Sequence, residues 1–88
     1  MKNTGVVFKY EVQRKIEMPK GSEILCMQMQ RGIPCIWAMV HQTKEMEIRE
    51  FDIIGTGQAI IGDLIHKYIG TYQPTEFLVY HVFEVIEE

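Results

Sequence analysis

Two eight-residue runs, EILCMQMQ (23–30) and IPCIWAMV (33–40), are separated only by Arg31-Gly32. This is the strongest constraint in the chain. Both runs are β-prone, and a two-residue loop with glycine second is a hairpin signal. The hairpin fixes a register in which paired residue numbers sum to 63. Leu25 then faces Ala38, Met27 faces Ile36, and Met29 faces Pro34, giving one apolar face. The other face sets Cys26 against Trp37 and Gln28 against Cys35. Cys26 and Cys35 become diagonal neighbours about 7–8 Å apart, too far for an unstrained disulfide. Pro34 cannot donate to a ladder, so its nitrogen is expected at an edge or a bulge.

The rest of the chain repeats this style. VVFKYEV (6–12) alternates, with Phe8, Tyr10 and Val12 on one face. RKIEM (14–18) continues the alternation and ends in the turn MPKGSE (18–23). HQTKE (41–45) reads as a loop. MEIREFDII (46–54) is a long strand with a fault: Met46 and Ile48 share one parity, Phe51 and Ile53 the other. A bulge near Arg49-Glu50 would reconcile them. In IIGDLIHKY (60–68), Ile61, Leu64, Ile65 and Tyr68 stand at helical spacing, which predicts a short helix or helical turn. YIGTYQ (68–73) is a short strand. FLVYHVFEV (77–85) is apolar on both faces, so it is either central in a layered core or half-buried in a subunit interface. The expected fold is mainly β: a small antiparallel barrel or sandwich of six to seven strands with one short helix.

The 88 residues suggest one domain, 1–88. A domain of this size buries only about 60–65% of the surface its unfolded chain exposes, so contacts between subunits would help it. A homo-oligomer is therefore expected. No apolar run approaches the ~20 residues of a membrane span. The opening MKNTGVVFKYE has no signal-peptide core, so no membrane association and a cytoplasmic location are expected. The net charge of −3 speaks against nucleic-acid binding by phosphate neutralisation. The charge is unevenly placed: residues 1–44 sum to +4 and residues 45–88 to −7. That pattern is either a solvated surface or a two-signed one that docks subunits or a basic partner.

Candidate chemistry centres on Gly55-Thr56-Gly57-Gln58. No Gly-Lys-Ser/Thr follows, and no third glycine or βαβ unit is present, so neither a nucleotide-triphosphate loop nor a dinucleotide fingerprint fits. The turn is either a nest of backbone N–H groups for an anion or a corner that needs positive φ. Arg49 either reaches a phosphate or carboxylate, or pairs with Glu47 or Glu50. Trp37 is either a second small core or a stacking platform. His81, on the face of Val79 and Phe83, is either a packed core residue or a ligand-binding or acid–base group. No histidine pair has zinc-ligand spacing. Ser22, the one serine, lacks a catalytic context, and neither cysteine stands at a helix N-terminus. No cofactor and no metal are expected.

The segments FKYEV, IEMPKGSEIL, GIPCIWAMV, FDIIGTGQAI, YIGTYQ and FLVYHVFEV, in this order, resemble a family of small bacteriophage and prophage proteins of unknown function. The resemblance runs end to end. Its most specific parts are aromatic-x-[IV]-x-Gly-Thr-Gly-Gln at Phe51–Gln58, Gly-Thr at Gly70-Thr71, and aliphatic–aromatic–His at Val79–His81, with Trp37 in the hairpin. Family members often carry prolines after Gly-Thr-Gly-Gln, where this chain has Ala59-Ile60-Ile61. The resemblance implies a phage or prophage origin and, for a phage-encoded protein, the host cytoplasm.

Three functions suit these features. The first is a non-enzymatic binding module that counteracts a host system. It would either sequester a small nucleotide-type ligand in an oligomer or block a host protein. The sequestering form would use Gly55–Gly57 and Arg49 for phosphate and Trp37 or a tyrosine for the base. The blocking form would set the Glu-rich second half against a basic surface. The second is a structural or assembly subunit of a phage particle. The third is a small enzyme using His81 near Gly55–Gly57.

Overall fold

A computed structural model describes residues 4–86. Seven strands form: β1 (Val6–Glu11), β2 (Lys15–Pro19), β3 (Glu23–Gln30), β4 (Ile33–Val40), β5 (Met46–Gly55), β6 (Ile65–Thr75) and β7 (Leu78–Ile86). All pairings are antiparallel. One sheet has the order β1-β4-β3 and the other β2-β5-β7-β6. No helix forms among the described residues, and none is therefore long and apolar enough to cross a membrane.

The 31–32 hairpin forms as its turn chemistry dictates. Arg31 (φ 51°) and Gly32 (φ 78°) both take left-handed backbone, the geometry that matches strand twist in a two-residue loop. From Cys26↔Trp37 to Gln30↔Ile33 every pair sums to 63. Further from the turn the expected register breaks. Ile24, not Leu25, faces Ala38, because a bulge between Ile24 and Cys26 leaves Leu25 unpaired and exposed. Pro34 stands where β1 has run out, and its carbonyl accepts from Val12 N (3.0 Å).

The two sheets share one core. The three-stranded sheet contributes Tyr10, Ile24, Met27 and Ile36; the four-stranded sheet contributes Ile16, Met18, Phe51, Ile53, Ile69, Tyr72 and Val82. Burial pushes the Tyr10 and Tyr72 hydroxyls above the ordinary phenol value of 10.0. At Gly70 an added Cβ would lie 3.0 Å from Met27 Cβ, so glycine permits the close approach of β6 to β3.

Two expectations are corrected. No bulge forms at Arg49-Glu50. β5 pairs regularly with β2 and β7 through that stretch, so Glu47, Arg49, Phe51 and Ile53 share the core side while Met46 and Ile48 face out, 53% and 63% exposed. The strand stays straight because Arg49 has a partner on that side: its Nε and Nη2 donate to the two carboxylate oxygens of Glu84. The helix over 60–68 does not form either. Residues 65–68 open β6, and 58–64 are irregular. β5 and β6 both run antiparallel to β7, so 56–64 must cross from one to the other; pairing with β7 outweighs the local helical spacing, which Gly62 (φ 111°) interrupts.

Candidate functional site

The outer face of the four-stranded sheet, away from the shared core, carries a linked set of polar side chains. His81 sits at its centre, on β7 between Ile54 of β5 and Thr71 of β6. Its Nε2 lies 2.7 Å from Thr56 Oγ1 and its Nδ1 2.9 Å from Thr71 Oγ1. Thr71 Oγ1 lies 2.6 Å from the Tyr68 hydroxyl, and Thr56 Oγ1 donates to the Val79 carbonyl at 3.3 Å.

The His81 tautomer sets the direction of these contacts. With the Thr56 hydroxyl proton on Val79 O, His81 Nε2 carries a proton and donates to Thr56. In the neutral ring Nδ1 then accepts from Thr71, which accepts from Tyr68. If Nδ1 takes up a proton, the Thr71 and Tyr68 hydroxyls reverse and no contact is lost. The network can therefore carry a proton between His81 and the exposed Tyr68 hydroxyl.

A strand irregularity makes this possible. Residues 68 and 71 would face opposite sides of a regular strand. The register shift between Tyr68 and Gly70 inserts Ile69 and turns Tyr68 and Thr71 to the same side. Tyr68 and His66 both set their rings edge-on to Phe83 (centroids 5.6 and 6.2 Å). His66 reaches across β7, placing Nε2 2.8 Å from Asp52 Oδ2, and its Nδ1 lies 3.0 Å from the Leu64 carbonyl.

The Gly-Thr-Gly-Gln turn builds one wall of this site, and it does so as a corner. Thr56 N donates to Val79 O (3.1 Å), Gln58 N to Gly55 O (3.0 Å), and Gly55 N to Gln58 Oε1 (2.5 Å). Three of the four N–H groups in the turn are thus spent inside the chain, and an anion would have to displace the Gln58 side chain. Gly55 leaves room for that side chain, since an added Cβ would meet Gln58 Oε1 at 2.9 Å. Gly57 supplies the positive φ of 90°.

Of the residues singled out from the sequence, Gly55, Thr56, Gly57, Gln58 and His81 come together. Arg49 and Trp37 do not join them. Arg49 lies on the opposite face of the same sheet, where it also donates through Nη1 to Ser22 O (2.9 Å) and stands 3.7 Å from Glu47 Oε2. The hydrogen bond to Glu84 raises its pKa against the opposing effect of burial. A cleft of about 610 Å³ beside it is lined by Glu47, Glu50 and Glu84 against Arg49 and Lys67, a poor field for phosphate. Trp37 belongs to the other sheet, with the Lys9 ammonium 6.0 Å from its ring centroid and its Nε1 buried without a partner among the described residues.

Tyr68, Thr71, His66 and Asp52 were not singled out as site residues. Gly70-Thr71 stood out as a pattern, but the bulge that turns Thr71 toward His81 has no mark in local periodicity. Among the described residues no group of three or more His, Cys, Asp or Glu side chains could hold a metal ion.

A family model described as Domain of unknown function (DUF7352) matches residues 3–88. No curated protein and no solved structure matches the chain.

Proposed function

Since the chain belongs to the DUF7352 family, whose description carries no activity, we propose a function from its geometry: it is a non-enzymatic binding module that docks a partner protein through the outer face of the four-stranded sheet. The two sheets on one core are read as a sandwich. The observation that carries the proposal is the outer face itself. Met46 and Ile48 are 53% and 63% exposed at the end of that face where β5 pairs with β2, and Tyr68 is 57% exposed beside the hydrogen-bonded His81 at the other end. Exposed apolar surface sharing one face with organised polar groups is the pattern of a recognition site. Its charged rim, read from the strand register, is Glu17, Glu50 and Asp52 against Lys15, so the partner offers a basic surface. The resemblance to phage proteins supplies the setting: a host protein in the host cytoplasm, blocked by this module.

Sequestration of a small nucleotide is less well supported. Its phosphate cation, Arg49, is committed to Glu84, and its N–H groups are spent in the turn. An enzyme using His81 is the second reading, favoured by the proton path through Thr71 to Tyr68.

The test is affinity capture from host extract with the wild-type chain, Ile48→Glu on the outer face, and Leu25→Glu on the other sheet, each followed by native mass spectrometry. A host protein retained by the wild type and by Leu25→Glu but lost from Ile48→Glu is the expected result. A partner indifferent to Ile48→Glu, or a phosphorylated small molecule held instead, overturns the reading.

A further inference from the structure

Each sheet has two edges, and an edge strand exposes unpaired N–H and C=O groups that template pairing with another chain. Three of the four edges are blunted. β3 carries the bulge at Leu25 and approaches β6 through Met27 and Gly70. β6 carries two register shifts and Pro74. β2 is five residues long and ends in Pro19. β1 has none of these features. It pairs with β4 in unbroken register over six residues and, among the described residues, has no other strand beside it.

The backbone groups on the open side of β1 can be identified. Val12 N donates to Pro34 O, so Val12 and Pro34 stand at a hydrogen-bonded position. Such positions alternate along an antiparallel ladder. Phe8 and Tyr10 therefore bond to β4, and the N–H and C=O groups of Val7, Lys9 and Glu11 point to the open side.

From this we propose that two copies of the chain associate through β1, antiparallel about a two-fold axis at Tyr10, joining two three-stranded sheets into one of six strands. Between axes at Lys9 and at Tyr10 the charges choose the second. An axis at Lys9 would set Lys9 against the second copy's Lys9, a like-charge pair directly opposite. An axis at Tyr10 sets Lys9 against the second copy's Glu11, and Glu11 against its Lys9. Both pairs fall at positions whose backbone groups point outward, so each pair can close two backbone hydrogen bonds as well as an ion pair. A two-fold contact of this kind is self-complementary and closes, which keeps an open edge from propagating into fibres.

This inference is independent of the reading of the four-stranded sheet, and its test leaves that sheet untouched. Light scattering with size-exclusion chromatography would be run over a concentration series on the wild type, Lys9→Glu, Glu11→Lys and the double exchange Lys9→Glu/Glu11→Lys, with near-ultraviolet circular dichroism confirming that each is folded. The expected result is a species of twice the 10.3 kDa chain mass for the wild type, monomers for both single exchanges, and return of the dimer in the double exchange. A wild type that stays monomeric throughout, or a dimer that both single exchanges leave intact, overturns the proposal.

Discussion

β5 and β7 carry polar clusters on both faces of one sheet, and the two behave differently. On the core side, Arg49 spends its donors on both oxygens of Glu84 and on Ser22 O, while Gly21 N donates to Glu47 Oε2 at 3.1 Å. The Arg49 and Glu84 side chains are only 17% and 6% exposed. The Arg49–Glu84 pair is closed on itself, and the effect of the cluster is to tie the turn before β3 to the four-stranded sheet. On the outer side, half-buried His81 and the exposed Thr56, Thr71 and Tyr68 run in one line of contacts that ends at the tyrosine hydroxyl. A cluster closed on itself holds the fold. A cluster with one end open can recognise something.

The strongest way to break this contrast is Arg49→Met. Removing one partner of a buried pair leaves the other charge unmatched, at a cost of about 3–5 kcal/mol. Urea denaturation should show that loss, and adding Glu84→Leu should recover much of it. A loss near zero would place Arg49 among the surface residues and void the contrast. Gly57→Ala should come next. At φ 90° a side chain is strained, though nothing lies within 4 Å to clash with it, so about 1–2 kcal/mol is expected. Capture of a partner should survive the change, and that separates a corner from a cradle. The smallest effect belongs to Tyr68→Phe, whose stability should stay within about 0.5 kcal/mol of the wild type. Nitrogen-15 spectra should place the neutral His81 proton on Nε2 in both proteins. A proton found on Nδ1 would reverse the direction of the relay.

How much of this was legible beforehand differs by region. The Gly-Thr-Gly-Gln segment, with His81, announced itself through residue types with narrow uses: glycines for positive φ and for room, and a histidine among apolar neighbours in a strand. In β5 the visible fault was the change of parity from Met46 and Ile48 to Phe51 and Ile53, and the expected remedy was a bulge near Arg49-Glu50. The strand instead keeps Arg49 on the core side, where its partner is Glu84, 35 residues later.

The same division runs through the fold. Turn chemistry is local: Arg31-Gly32 can close only certain two-residue loops, so the five pairs nearest it follow from the residues themselves. Strand alternation is local too, and it placed His81 on the face of Phe83 before any partner was known. Which strands become neighbours is another matter. The order β2-β5-β7-β6 sets helical-looking residues 65–68 into a strand, and the bulge at Ile69 brings Tyr68 and Thr71 round to His81. Those outcomes depend on which distant pairings repay the entropy of closing their loops. That sum is taken over the whole chain, and no window of neighbouring residues contains it.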